Sequence, residues 1–321
     1  AAVYSEADYG APYLEMAGET YAIGAAPARE SYLNQDVLLD VLKRAGADGV
    51  HPGYGFLAEN AGFAQRVQDA GACFIGPSPK WIEAMGHKTR AREVAAQYGM
   101  PMARGSGGLP AEPGAILAAA RTIGYPVLVK PAGGGGGIGM LPARDESELL
   151  AVVERSRGMA SRSFGTAEVY LERLLERPRH VEFQVLGDRH GGAVHLFERD
   201  CSVQRRNQKV IEEAPAPALE RARVGVVAEQ IAAIMRQMGY DNIGTVEMLM
   251  AGDGDFSFLE MNTRLQVEHG VTEEVTGVDL VKAMIRLAAG EKLDALLPQK
   301  ISITGHAIEA REGGGEAGGS G

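Results

Sequence analysis

Two acidic residues lie where a β-hairpin sets them face to face. Gly244-Thr-Val-Glu247-Met-Leu249-Met and Phe256-Ser-Phe-Leu-Glu260-Met-Asn262 flank the turn-rich Gly252-Asp-Gly-Asp255. A hairpin with a four-residue loop pairs residue 251 with 256 and Glu247 with Glu260. Like charges directly opposite each other destabilise a sheet, so the spacing points to a divalent cation between them. Asn262, two residues on, shares that face. Carboxylate and amide oxygens of this kind suit Mg²⁺ or Mn²⁺. Two solvated glutamates on an open sheet face give the same spacing.

Glu260, Asn262, Arg264, Gln266 and Glu268 then recur at every second position, with Met261, Leu265 and Val267 among the alternates. An exposed edge strand reads this way, but acids, an amide and a guanidinium on one face read better as the lining of a reaction trough. Arg264 offers a planar fork for a small oxyanion, and Glu268 beside it is a candidate base. Upstream, Val127-Leu128-Val129-Lys130 runs into a loop with six glycines in the seven positions from Gly133 to Gly139. Such a loop frees backbone N–H groups to wrap an anion beside one fixed cation; a solvated surface loop has the same composition. The dinucleotide pattern fails in context because a strand-like segment follows, and the Walker pattern fails because no Lys-Ser/Thr follows. What remains is a hairpin loop able to close as a lid over phosphates. A third stretch, Glu198-Arg-Asp-Cys-Ser-Val-Gln204-Arg205-Arg206-Asn207-Gln208-Lys209, carries a basic cluster. Such clusters are usually solvated turns, and here a bound phosphate explains it better than nucleic acid does.

These groups need a scaffold, and composition supports one. The chain has 321 residues, 45% hydrophobic and 23% charged, which excludes a disordered or fibrous protein. Its net charge of −10 argues against a general nucleic-acid or anionic-membrane binder. Cys73 and Cys201 form no disulfide framework or zinc pattern, so a reducing, cytoplasmic compartment is expected. No apolar run reaches the ~18 residues of a membrane span. The predicted class is α/β, turning α+β toward the C-terminus. Residues 1–76 alternate strands and helices as an N-terminal α/β domain with a parallel sheet. Residues 77–101 read as a helical connector, and 102–174 as a small unit carrying the glycine loop. Residues 175–311 contain antiparallel strands, a helix near 220–238, a strand pair over 244–262, a helix near 278–289 and a strand from Ile301 to Ile308. Residues 312–321 read as a Gly-rich tail or linker.

Together these residues resemble the biotin carboxylase family of ATP-grasp enzymes. The matching runs are His51-Pro-Gly-Tyr-Gly-Phe-Leu-Ala-Glu-Asn60, Lys130 with its glycine loop, Pro178-Arg-His-Val-Glu182, Glu198 to Lys209 with the following Glu-Glu-Ala-Pro-Ala-Pro217, and Glu260 to His269. The resemblance runs from about residue 1 to Arg311. It implies an ATP-grasp fold behind an N-terminal parallel-sheet domain, with 102–174 as the lid subdomain and 175–311 as the catalytic subdomain. It also implies that the family's first strand and helix and its C-terminal portion are missing from this chain. The family's usual homodimer is accordingly not expected of it.

The resemblance assigns roles by position. Lys88 and Lys130 contact ATP phosphates, with the loop that includes Gly136 and Gly137 folding over them. Glu172, Arg173 and Leu175 line the adenine pocket, the last two through main-chain groups, and Met140 and Leu249 pack on the base. His180, Gln204 and Asn207 lie along the nucleotide. Glu247 and Glu260 hold Mg²⁺ (or Mn²⁺), with Asn262 nearby. Lys209, Arg264, Gln266 and the Val267 backbone bind bicarbonate, Glu268 deprotonates it, and Arg311 stabilises the biotin enolate. Ile138 stands where an arginine is common, Asn207 where a histidine is frequent, and Gly270 where proline is usual. The implied activity is ATP-dependent carboxylation of biotin from bicarbonate through carboxyphosphate. No Ala-Met-Lys-Met motif occurs, so the partners are a separate biotin carboxyl carrier and a carboxyltransferase component. The competing readings are a silent Mg-ATP-binding fragment and another ATP-grasp carboxylate ligase.

Overall fold

The computed structural model describes residues 1–133, 138–206, 208–252 and 254–311. The expectations for Gly136, Gly137, Asn207 and the tail 312–321 lie outside these residues.

The N-terminal part runs β1 (Ala2–Tyr4), α1 (Pro12–Glu15), β2 (Thr20–Ala22), α2 (Gln35–Arg44), β3 (Gly49–Val50), α3 (Ala61–Asp69) and β4 (Cys73–Phe74). Its strands are parallel and form two separate pairs, β1 with β2 and β3 with β4. Asn34 and Asn60 start the two longer helices by accepting the N–H groups of Val37 and Phe63 at 3.3 and 2.8 Å, which satisfies donors that a helix start leaves open. Leu42, Phe63, Val67 and Phe74 close the core between helices and strands.

Helices α4 (Pro79–Gly86) and α5 (Lys88–Gln97) bring the chain to a four-stranded antiparallel sheet. Its order is β5 (Gly105–Gly108), β8 (Val169–Arg173), β6 (Val127–Pro131) and β7 (Leu141–Ala143). Helices α6 (Pro113–Ile123) and α7 (Glu146–Phe164) cover one face, burying Ile116, Leu149 and Val153 against Val127, Val129 and Leu171. Asp145 caps α7 by accepting the Ser147 and Glu148 N–H groups at 2.9 and 3.3 Å.

The last unit is a six-stranded antiparallel sheet, in the order β13 (Phe256–Asn262), β12 (Asn242–Met250), β9 (Arg179–Gly187), β10 (Ala193–Arg205), β11 (Gln208–Ala214) and β14 (Ala307–Ala310). Alternation along β9 builds two environments at once. Val181, Phe183 and Val185 point into the core with Ile231 and Met235 of α8 (Arg221–Met238). Glu182 and Gln184 point to the other face and are equally buried, so their charge and amide need partners there. Helices α9 (His269–Thr276) and α10 (Leu280–Ala288) complete that side, followed by α11 (Leu293–Leu296).

Two expectations need correction. The strand predicted for Ile301–Ile308 instead spans Ala307–Ala310, starting later and running two residues further. Its partner β11 offers only Ile211–Ala214 before Pro215, and proline cannot continue a ladder. Near the β12–β13 turn the register is one residue off the four-residue-loop prediction. Met250, and not residue 251, pairs with Phe256. A bulge between the Glu247 and Met248 pairings restores Glu247 opposite Glu260.

Candidate active site

A cavity of about 1290 Å³ opens between the small four-stranded sheet and the exposed rim of the six-stranded sheet. Every described residue singled out in the sequence for a site role lines it. Lys88, Lys130, Met140, Glu172, Arg173, Leu175, His180 and Gln204 do so, as do Lys209, Glu247, Leu249, Glu260 and Asn262. Arg264, Gln266, Val267, Glu268 and Arg311 complete that set. Leu128, Pro142 and Phe258 add an apolar wall near Met140 and Leu249. The chain's net charge is −10, yet three lysines and four arginines line this one cleft. Such a concentration of positive charge favours anionic ligands.

At one end, β6 delivers Lys130, which is 2% exposed. Its Nζ lies 3.0 Å from Glu172 Oε2 of β8, and Arg92 Nη1 lies 2.7 Å from the other oxygen. Burial pulls the Lys130 pKa down and outweighs the nearby Glu172 carboxylate. Lys88, at the start of α5, pairs with Glu260 at 3.0 Å. The Arg173 N–H is taken by the Arg104 carbonyl at 2.8 Å.

At the other end Lys209 is the hub. Its Nζ donates to Glu247 Oε1 at 2.8 Å, to Glu268 Oε1 at 2.6 Å and to Glu182 Oε2. Burial alone lowers an ammonium pKa, but Glu182, Glu247 and Glu268 outweigh it and hold Lys209 above its ordinary value. The carboxylates move the opposite way. Burial raises both, yet His180 and Lys209 hold Glu247 well below the carboxylate range, and Lys209 and Arg199 hold Glu268 at about 2. Gln204 Nε2 lies 2.9 Å from His180 Nδ1. With Nδ1 accepting, the proton sits on Nε2, 2.8 Å from Glu247 Oε2. Burial lowers the imidazole pKa, but Glu247 wins and raises it.

The alternating series from Glu260 to Glu268 leaves the sheet after Asn262 and turns into α9, yet all five of its polar members still line the cavity. Glu59, from the His51–Asn60 run, directs that turn. It accepts the Thr263 N–H at 3.0 Å and Arg264 Nε at 2.8 Å. Arg264 Nη2 also donates to Asn262 Oδ1 at 3.1 Å. Arg311 bridges Glu268 Oε2 and Glu212 Oε1, both at 2.6 Å.

Several residues that shape the site were assigned no role from the sequence. Glu59, Glu182 and Glu212 each orient a cavity-lining side chain, and Tyr54 lines the cavity itself. All four fall within the runs that carry the family resemblance, His51–Asn60, Pro178–Glu182 and the Glu-Glu-Ala-Pro-Ala-Pro217 stretch that begins at Glu212. The basic cluster from Glu198 to Lys209 is divided by the structure. Arg199 is fully buried against protein acceptors and not open to a phosphate, and Arg205 and Arg206 are exposed. Gln204, Arg205 and Lys209 face the cavity.

The donor set fits a hard divalent cation. Glu247 and Glu260 are cross-strand partners, each already carrying a cationic side chain, Lys209 on one and Lys88 on the other. Asn262 Nδ2 donates to Glu247 Oε1 at 2.8 Å. Carboxylate and amide oxygens in this arrangement match Mg²⁺ preferences.

Known proteins resemble this chain over nearly its whole length. Residues 1–82 match the family profile "Biotin carboxylase, N-terminal domain", and residues 87–296 match "Carbamoyl-phosphate synthase L chain, ATP binding domain". The chain is 49% identical over 312 residues to a biotin carboxylase of Pseudomonas aeruginosa, covering 97% of this chain and 69% of that protein. It is 45% identical to the propionyl-CoA carboxylase alpha chain of Ruegeria pomeroyi, covering 97% of this chain and 45% of that one. A solved structure of the biotin carboxylase domain of 2-oxoglutarate carboxylase from Hydrogenobacter thermophilus, in complex with MgADP, ADP and bicarbonate, has a TM-score of 0.89 and 43% identity. That match covers 96% of this chain and 68% of the solved one. The fold is therefore ATP-grasp. Identity near one residue in two, sustained over about two thirds of the Pseudomonas enzyme, places this chain in the biotin carboxylase family.

Proposed function

We propose that the chain carries out the ATP- and bicarbonate-dependent carboxylation of biotin as the biotin carboxylase component of a biotin-dependent carboxylase. The observation that carries this reading is the cavity in which an acid pair suited to a divalent cation adjoins a cationic pocket containing the buried Glu268 carboxylate, paired with Lys209 and Arg311. In this reading the 102–174 unit is the lid and 175–311 is the catalytic face. Lys88 and Lys130 hold the nucleotide phosphates. Glu172, Arg173, Leu175, Met140 and Leu249 surround the base, and His180 and Gln204 lie along the nucleotide.

Glu247 and Glu260, with Asn262, would hold Mg²⁺, whose contribution when bound is to offset charge on the phosphates. Lys209, Arg264, Gln266 and the Val267 backbone would hold bicarbonate. Glu268 is a carboxylate at neutral pH because Lys209 and Arg199 outweigh its burial, so it is in the state required to take the bicarbonate proton. The freed oxygen attacks the γ-phosphorus, the bond to the ADP oxygen breaks, and carboxyphosphate forms. Its breakdown gives CO₂ and phosphate beside biotin; the phosphate takes the biotin N–H proton, Arg311 places a fixed positive charge against the developing enolate oxygen, and the freed nitrogen attacks CO₂.

The relatives include the alpha chain of a propionyl-CoA carboxylase. The matching partners here are a biotin-bearing carrier and a carboxyltransferase component. The reading is tested by phosphate release from MgATP. Release that depends on bicarbonate and rises with free biotin supports it. Tight MgATP binding without bicarbonate-dependent release contradicts it.

A further inference from the structure

Arg199 sits in the middle of β10 with no exposed surface. All five of its N–H hydrogens are used. Nε donates to Glu182 Oε1 at 2.6 Å, and Nη1 to Gln184 Oε1 and Thr272 Oγ1, both at 2.8 Å. Nη2 donates to Thr245 Oγ1 at 3.3 Å and Gln266 Oε1 at 3.1 Å. One guanidinium thus ties together β9, β12, α9 and the turn that carries Gln266.

Two of these contacts constrain the cavity beyond simple packing. A guanidinium has donors only, so the Gln266 atom facing Arg199 must be the carbonyl oxygen. The amide nitrogen is thereby turned the other way, where it donates to Glu247 Oε1 at 2.9 Å. Flipped, that amide would aim its oxygen at any anion in the cavity. Glu182 is split similarly, with one oxygen on Arg199 and the other on Lys209. Stability alone does not call for such an ion, since well-packed apolar residues often replace buried ion pairs without loss.

We propose that Arg199 is a positioning residue for the bicarbonate subsite, fixing the Gln266 amide so that its N–H₂ faces the anion and, through Glu182, holding the Lys209 ammonium beside it. This rests on the reading of Gln266 and Lys209 as bicarbonate ligands. The lid lysines and the base-facing wall do not touch Arg199, and it reaches the proposed metal ligand Glu247 only indirectly, through Gln266 and Lys209, so its loss falls on bicarbonate far more than on nucleotide.

The test follows ligand-induced thermal shifts, which report affinity by mass action, for MgADP alone and for bicarbonate in the presence of MgADP, alongside KM for bicarbonate and for ATP. Arg199→Lys keeps the charge and loses the fork. It weakens bicarbonate about tenfold, as expected for lost charged hydrogen bonds, and leaves MgADP within about twofold. In a Gln266→Met background, Arg199→Lys adds clearly less than its roughly tenfold effect in the wild type, the remainder passing through Glu182 and Lys209. Equal losses for nucleotide and bicarbonate, or full additivity, overturn the proposal. If Arg199→Lys does not fold, Thr245→Val removes a single acceptor and weakens bicarbonate about threefold with MgADP unchanged; no change there also overturns it. Wild-type protein that binds MgADP but never responds to bicarbonate contradicts the functional reading itself, an outcome distinct from a failure of Arg199 alone.

Discussion

The Lys209 ammonium lies 2.6 Å from Glu268 Oε1 and is shared with Glu247, so the proposed base and the proposed metal ligand are held by one cation. Bicarbonate arriving at Lys209 therefore competes with the contact that keeps Glu268 weakly basic. Glu268→Gln preserves shape and one acceptor but cannot take a proton. We expect bicarbonate-dependent phosphate release to fall at least ~100-fold, in the range of lost general-base catalysis, with MgATP affinity within about twofold. Calorimetry beside steady-state kinetics checks both halves.

Glu247 and Glu260 face each other across β12 and β13, and neutralising either removes one hard anionic ligand. Glu247→Gln and Glu260→Gln should each raise the Mg²⁺ concentration for half-maximal turnover by at least ~10-fold. Chelation should abolish turnover in the wild type. Metal titrations in which either variant tracks the wild type would remove that residue from the metal site.

Glu212 supplies a pH signature. Its side chain has no exposed surface, and burial, opposed by Arg311 and reinforced by Glu268, pushes its carboxyl up from 4.5 to about 7. Between those values the folded chain binds more protons at this site than the unfolded chain, so stability from this group falls as pH rises. The Tm of wild type relative to Glu212→Gln should decline from pH 5 to pH 8. Parallel melting curves across that range would mean that the group does not titrate there.

Much of the site was readable because its residues are close in sequence. Hairpin alternation brought Glu247 and Glu260 together despite the bulge, and the Gly252–Asp255 turn composition marked where the chain reverses. The polar series to Glu268 was legible as a lining, although not as a turn. Its departure from the sheet depends on Glu59, some two hundred residues away, accepting the Thr263 N–H. Nothing local announces such a contact.

Other features escaped for reasons of propensity and partnering. Gly105–Gly108 pairs with β8, but glycine-rich sequence shows no alternation and has weak strand preference. Helix α9 carries Gly270 in its first turn and contains Val271, Thr272, Val275 and Thr276, all poor helix formers. Packing of Val271 and Val275 beside Ala214 stabilises it. Arg199 looked like part of a surface cluster because burial of a guanidinium depends on acceptors from four other elements. The limit of β14 was invisible for the same kind of reason, since it is set by Pro215, just past the end of a neighbouring strand.

The proposed reaction turns on bicarbonate attacking the γ-phosphorus, and oxygen tracing tests that step most directly. With ¹⁸O-labelled bicarbonate, MgATP and free biotin, the released phosphate should carry one labelled oxygen from bicarbonate per turnover. Phosphate released at the same rate with no label would show that water is the nucleophile and contradict the account.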